Sequence, residues 1–191
     1  MKVVVNGSEP IARGLGRAGF DVAPAYPRAF DALVHVPDVT AAAVRTPLAV
    51  ITDAEWDGRG EAVLREALNA CRAAYAGMHD RGGRIVLVTP TVGLVGADGL
   101  APLAMAVEGI RTLAKCAARQ WGRAGITTNC VAPSLEVLGI ATDARGAVSP
   151  PLGRIPTIDD LVAVIASVLG PAGNAITGAT ILVDGGVVMA P

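Results

Sequence analysis

The sequence predicts an α/β protein with a parallel sheet of about six strands and helices on both faces. Six short segments rich in β-branched residues are apolar at nearly every position, which is typical of strands buried on both faces. Longer stretches with apolar residues at helical spacing lie between most of them. The chain has 191 residues, 52% hydrophobic and 17% charged, and we expect a single domain over 1–191.

The predicted strands raise one question of topology. Only Ala25–Asp31 separates the second strand from the third, and two neighbouring parallel strands need a longer crossover. Either these two strands are not neighbours in the sheet, or a crossover has been lost from the chain. The six predicted strands are Lys2–Asn6, Phe20–Pro24, Ala32–Pro37, Arg84–Thr89, Thr127–Ala132 and Thr180–Asp184.

Four helices are predicted between the strands. Ser8 is a candidate N-cap for the first. Two others begin at pairs with capping-box spacing, Thr52 with Glu55 and Thr157 with Asp160. The third helix is rich in Ala and Gly, so that another backbone can approach it closely. The helices span about 10–18, 53–79, 101–121 and 158–169.

The composition excludes several classes of function. A net charge of -1 and 3% aromatic residues give no basis for binding nucleic acid. The longest apolar stretch, about 161–169, is too short to span a membrane, and the N-terminus has no signal-peptide pattern. Two His and widely spaced Cys71, Cys116 and Cys130 predict no metal site, and we expect the thiols to be buried and reduced. The sequence therefore predicts a cytoplasmic protein.

Five segments in order along the chain resemble the short-chain dehydrogenase/reductase family. The likeness spans nearly the whole chain and is strongest after Asp53. It implies a truncated Rossmann-like three-layer sandwich, in a family whose members bind NAD(P) at a Gly-rich turn after the first strand. The five segments are TDAEWD (52–57), GRIVLVTPTVGLVG (83–96), GIRTLAKCAARQWGRAGITTNCVAPS (109–134), PLGRIPTIDDLVAVIASVLG (151–170) and ITGATILVDGG (176–186).

The cofactor region departs from the family pattern. The turn after the first strand, Asn6–Pro10, is short and keeps one Gly, and Glu9 adds negative charge where a pyrophosphate would lie. The family's helix, strand and helix after strand two are missing, which would remove the adenine side of the site. We therefore expect this chain to bind no NAD(P).

The family's catalytic residues are also replaced. The resemblance places its Asn, Ser, Tyr and Lys at Val63, Pro90, Leu103 and Val107, and none of these can donate a side-chain proton. One loss does not depend on the alignment. With Tyr only at 26 and 75 and Lys only at 2 and 115, no Tyr-x-x-x-Lys motif exists in the sequence.

The surfaces that relatives use for assembly are retained. The resemblance implies a four-helix interface formed by helices 53–79 and 101–121, and a second interface at the last strand and helix. We therefore expect a non-catalytic subunit that pairs with an intact family member, which holds the NAD(P). The C-terminal segment, 187–191, could reach that partner's active site.

Two alternatives stay open. The first is a stand-alone enzyme that would need polar groups clustered near His35, Thr89 and Thr91. The second is a small-ligand binding protein that reuses the scaffold without the usual cofactor. For His35 alone, a hydrogen-bonded structural role is favoured over a functional one.

Overall fold

A parallel sheet of six strands forms the centre of the computed structural model, which describes residues 1–23, 25–141 and 149–189. The predicted α/β architecture is confirmed, and every predicted strand is present with shifts of a few residues at its ends. The position of Pro24, predicted to end the second strand, lies outside the described residues. The strands are β1 (Lys2–Asn6), β2 (Asp21–Ala23), β3 (Ala32–His35), β4 (Gly83–Val88), β5 (Ile126–Pro133) and β6 (Thr180–Val183).

The sheet order, β2-β1-β3-β4-β5-β6, answers the question of topology. Strand β1 lies between β2 and β3, and Val3 is in register with Val22 on one side and with Ala32 on the other. The first alternative is therefore confirmed, because β2 and β3 are not neighbours. The loss of a helix, strand and helix from this connection stays a separate prediction. The connection between them carries Phe30, which is buried in the core.

The helices agree with the predicted spans, with one interruption and one addition. Both capping boxes form, at Thr52 with Glu55 and at Thr157 with Asp160. A π-helical turn, Asp57–Glu61, interrupts the helix predicted over 53–79, and a short helix at 92–95 was not predicted. The helices are α1 (Glu9–Arg17), α2 (Asp53–Trp56), α3 (Ala62–Met78), α4 (Val92–Val95), α5 (Ala101–Trp121) and α6 (Ile158–Leu169).

Helices cover both faces of the sheet, which makes three layers. On one face α1 and α6 pack against the sheet through residues such as Leu15 and Ile165. On the other face α3 and α5 pack through residues such as Ala67 and Ile110. No helix in the described parts of the chain has both the length and the apolar character needed to cross a membrane.

One buried amide fixes the approach to the last strand. Asn129 of β5 is fully buried, and its Nδ2 donates to the carbonyl oxygen of Ile176 at 2.8 Å. Its Oδ1 accepts from the backbone N–H of Ala179 at 3.1 Å. The side chain thus replaces ladder hydrogen bonds in the segment that enters β6.

Candidate functional site

The sheet order locates the candidate site. In open parallel sheets, ligands bind beyond the carboxyl ends of the strands, where the order of the strands reverses. Here the chain leaves β1 for β2 on one side and continues through β3 on the other, so that this point lies between β1 and β3. The residues at the ends of these strands are Asn6 and His35, which are paired in register.

Backbone fills part of the space at this point. The turn after β1 contains Gly7, whose φ of 95° lies in the left-handed region. A Cβ added to Gly7 would lie 1.9 Å from the carbonyl oxygen of Val36. The backbone N–H of Val36 in turn donates to the carbonyl oxygen of Asn6 at 2.8 Å. The turn therefore packs directly against the segment that follows β3.

The beginning of α1 is a poor site for an anion. Ser8 is the N-cap, and its hydroxyl oxygen accepts from the N–H of Ile11 at 3.4 Å. Pro10 has no N–H to offer, and the Glu9 carboxylate lies in the first turn. A pyrophosphate needs free N–H groups and a favourable charge at a helix N-terminus. These residues do not fit the pyrophosphate of NAD(P).

The four positions assigned from the resemblance are all buried. Leu103 and Val107 are 0% exposed and Val63 is 6% exposed. These three belong to one apolar cluster with Val92 on the α3 and α5 side of the sheet. Pro90, also buried, follows β4. The structure thus packs the side chains of Val63, Leu103 and Val107 together in the apolar core. That these positions are equivalent to the family's catalytic residues stays a prediction.

His35 differs from the hydrogen-bonded residue that the sequence suggested. It is 0% exposed, and neither Nδ1 nor Nε2 has a hydrogen-bond partner among the described residues. Burial lowers the pKa of the imidazole to about 4, because the charged form loses its hydration without gaining a partner. On β4, the residue paired with His35 is the apolar Leu87. The sequence did not show this pairing, because it depends on the register of two strands far apart in the chain.

The two threonines near the end of β4 are buried as well. Thr89 and Thr91 are 0% and 6% exposed. Burial raises the pKa of the Cys130 thiol, and the hydroxyl of Thr89, which lies beside that thiol, partly offsets the rise. The polar groups that a stand-alone enzyme would need therefore lie near the strand ends, but solvent does not reach them.

The cysteines follow the prediction in two cases of three. Cys71 and Cys130 are buried, and burial raises the pKa of their thiols to about 12 and about 11. Cys116 is exposed, so that the prediction of a buried thiol was wrong there. The buried stripe of α5 runs through Ala114 and Ala117, and Cys116 falls on the opposite side of the helix. No three His, Cys, Asp or Glu residues in the described ranges are arranged to hold a metal ion.

Helices α3 and α5 pack against each other along their length, and we call this line of contacts within the chain the seam. Gly60, at the π-helical turn, lies against Met105 and Pro102, and a Cβ there would approach Met105 Cε to 2.7 Å. Further along, Leu64 contacts Gly109. At the carboxyl ends, the rings of Tyr75 and Trp121 lie 5.0 Å apart, and Tyr75 is 37% exposed.

Comparison with known proteins identifies the family. The family model described as enoyl-(acyl carrier protein) reductase matches residues 16–188. The chain belongs to the short-chain dehydrogenase/reductase family. It is 32% identical to the 3-oxoacyl-[acyl-carrier-protein] reductase FabG of Salmonella typhimurium over 148 residues, which are 72% of this chain. The alignment spans 59% of the length of that relative.

Solved structures agree with the fold. A short-chain dehydrogenase/reductase family oxidoreductase from Burkholderia thailandensis superposes with a TM-score of 0.77 at 24% identity, covering 97% of this chain and 92% of that one. A putative oxidoreductase from Escherichia coli K-12 gives a TM-score of 0.80 at 18% identity, covering 100% and 97%. At these identities the likeness concerns the fold alone.

Proposed function

We propose that this chain is a non-catalytic short-chain dehydrogenase/reductase subunit, which assembles with an intact, NAD(P)-dependent family member and supports or regulates it. One observation carries the proposal. Val63, Leu103 and Val107, the positions that the resemblance assigns to the family's Asn, Tyr and Lys, lie in one closed apolar cluster. An apolar cluster can neither donate nor accept the proton that carbonyl reduction requires.

The inventory of proton donors supports the same conclusion. No Tyr-x-x-x-Lys motif exists anywhere in the 191 residues, so that a shifted alignment cannot restore the pair. His35 and Thr89, near the strand ends, are fully buried. A general acid must lie within hydrogen-bonding reach of its substrate, and these groups have no such access.

The cofactor side supports the absence of bound NAD(P) in this chain. The Gly7 turn packs against Val36, and the beginning of α1 carries Glu9. The sheet follows the Rossmann order 3-2-1-4-5-6 without its outermost strand 3, and it has one further strand, β6, at the opposite edge. The absent strand is the one on the side of β2. We attribute this to the loss of a helix, strand and helix within the connection 25–31. In the proposed assembly the partner subunit holds the NAD(P).

The assembly itself would use the outer side of α3 and α5. The helices predicted to form this interface, 53–79 and 101–121, are present, and Gly60 and Gly109 let them pack closely against each other within the chain. The C-terminal segment extends from this chain with Met189 77% exposed. Ala190 and Pro191 lie outside the described residues. In the proposed complex this segment would contact the partner near its substrate.

Co-expression with an intact family member from the same genome tests the proposal. We expect a tagged chain to co-purify with that member and to change its NADPH-dependent reductase activity. Thr112→Arg, which places a long side chain at an exposed position of α5, should abolish the complex. Gly16→Arg on α1 has open space around it and is the matched control. Reductase activity of the isolated chain, or failure to bind any intact family member, would contradict the proposal.

A stand-alone enzyme or ligand-binding protein is the alternative, and the unpartnered nitrogens of His35 favour it. A small polar ligand could satisfy them if the core opened above the strand ends. Activity or ligand binding in the isolated chain that is lost in both His35→Ala and Thr89→Ala would support this alternative. Its absence under all conditions tested would leave the subunit role as the better account.

A further inference from the structure

The connection between β2 and β3, residues 25–31, borders a cavity at the carboxyl end of α3. We call this connection the strap. Phe30 of the strap packs directly on Gly77, at which a Cβ would clash with its ring. The cavity beside this contact has a volume of about 380 Å³, and small-molecule sites span roughly 300–1,000 Å³. Its walls are formed by Arg28 and Ala29 of the strap, by Ala76 and Gly77 of α3, and by His79, Asp80 and Arg81 of the turn that follows.

Two guanidinium groups reach this cavity from different segments. Arg28 belongs to the strap, and Arg81 belongs to the turn after α3. Arg28 is exposed and makes no hydrogen bond or ion pair with any residue that the structure describes. An arginine without a protein partner keeps all of its donors for a ligand. The side chains of Ala29 and Ala76 are short and Gly77 has none, so that the cavity keeps room for an organic group beside the arginines.

Backbone carbonyls hold Arg81 in place at the wall of the cavity. Its Nη2 donates to the carbonyl oxygen of Phe30 at 3.1 Å and to that of Gly77 at 3.5 Å. Its Nε and Nη1 make no hydrogen bond within the described parts of the chain. The guanidinium is thus fixed to the strap and to α3 by one nitrogen. The other two nitrogens can donate to a ligand at little further cost in conformational entropy.

The groups that would repel an anion at this place already have partners. The Asp80 carboxylate pairs with His79, whose Nε2 lies 3.2 Å from Oδ1. Asp31, where the strap ends, accepts from the backbone N–H of Lys2 at 2.7 Å. A helix ordinarily disfavours anions at its carboxyl end because its last carbonyls are free. At the end of α3, the carbonyl of Tyr75 accepts from the N–H of His79 at 2.9 Å, which weakens this effect.

The charge of the walls matches a single carboxylate. Two arginines and one aspartate give the lining a formal charge of +1 with His79 neutral. A phosphate ester carries about −1.5 to −2 and would exceed this charge. Arginine binds carboxylates through charge-assisted hydrogen bonds. We propose that this cavity binds the carboxylate of a small organic acid between Arg28 and Arg81. The site lies at the amino edge of the sheet, to which α3 returns, away from the strand ends at Asn6 and His35.

A titration of the purified full chain with butyrate, followed by amide chemical shifts at constant ionic strength, tests the inference. Butyramide is the uncharged control, and inorganic phosphate is the other oxyanion. We expect saturable shifts at residues of the strap and at 76–81, with a Kd for butyrate of about 1 mM or less. Butyramide should give no saturable shift up to about 10 mM, because it offers the arginines no charge.

Three variants separate the site from general charge. Arg28→Gln removes one wall cation without disturbing any contact and should raise the Kd at least about tenfold. Ala76→Glu places a carboxylate at an exposed position of the cavity wall and should abolish binding. Arg72→Gln is the matched control, since it removes the same charge from an exposed position of α3 outside the cavity. Its Kd should stay within about twofold of the parent chain.

Several outcomes would overturn the inference. These are no saturable shift with butyrate up to about 10 mM, equal binding of butyrate and butyramide, tighter binding of phosphate than of butyrate, or equal weakening by Arg28→Gln and Arg72→Gln. Circular dichroism should show every variant folded. None of these outcomes bears on association with an intact family member, so that the proposed function is tested separately.

Discussion

Gly7 lies so close to Val36 that a Cβ at position 7 would approach the carbonyl oxygen of Val36 to 1.9 Å. This contact joins the turn after β1 to the segment after β3, at the point where a doubly wound sheet ordinarily receives its ligand. The contact therefore requires glycine at position 7. It also shows that backbone fills part of the space in which a ligand would lie.

Gly7→Ala should destabilise the protein by about 2–4 kcal/mol, because the new Cβ meets Val36 and the φ of 95° is unfavourable for alanine. Urea denaturation measures the change. Gly16→Ala is the matched control, since Gly16 lies in α1 with nothing within 4 Å of the added Cβ. It should gain up to about 1 kcal/mol from helix propensity. Equal effects of the two substitutions would contradict the close contact.

Val107→Lys tests the closed apolar cluster. Val107 is fully buried beside Leu103, and a lysine there must bury its ammonium without a partner or lose its proton. We expect a loss of at least about 3 kcal/mol, or failure to fold. Thr112→Lys, at an exposed position of the same helix, should stay within about 0.5 kcal/mol of the parent chain. A well-tolerated lysine at 107 would indicate an open, solvated site.

Stability should fall in acid because of His35. Burial lowers its folded-state pKa to about 4 from the ordinary 6.5, so that the folded state binds fewer protons between these values. The contribution is fully present above pH 6.5 and is lost as pH falls towards 4, by about 3 kcal/mol in all. Denaturation at several pH values in that window measures the slope, which His35→Leu should reduce. An unchanged slope in His35→Leu would assign the effect to other groups.

Asn129→Ala should cost about 2–4 kcal/mol. The substitution leaves the carbonyl of Ile176 and the N–H of Ala179 without partners in a buried setting. Asn69→Ala on the exposed side of α3 is the matched control and should change the free energy of unfolding by less than about 0.5 kcal/mol. If Asn129→Ala lowers the free energy of unfolding by no more than the control does, water replaces the two hydrogen bonds of the amide.

The sequence was sufficient to predict the sheet and the long helices, because buried strands and amphipathic helices each leave a periodic pattern. The span 101–121 and both capping boxes follow from local spacing. The π-helical turn at 57–61 depends instead on how closely Gly60 approaches α5, which is a tertiary contact. For the same reason, the unpartnered state of His35 could not be read from its neighbours in sequence.

From the sequence alone, the candidate site could be predicted only by the catalytic and cofactor-binding residues that it lacks. The missing Tyr-x-x-x-Lys motif is a property of the sequence, whereas the packing of Leu103 and Val107 into a closed cluster is a property of the fold. The position of β1 between β2 and β3 also needed the structure, because two topologies satisfied the same short connection.

Calorimetric titration of the isolated chain with NADPH and with NADH tests the central claim, that this scaffold has no dinucleotide site of its own. The packing of Gly7 against Val36 and the charge of Glu9 predict no saturable heat of binding up to about 1 mM of either nucleotide. Saturable binding of either nucleotide with a Kd in the micromolar range would contradict the account.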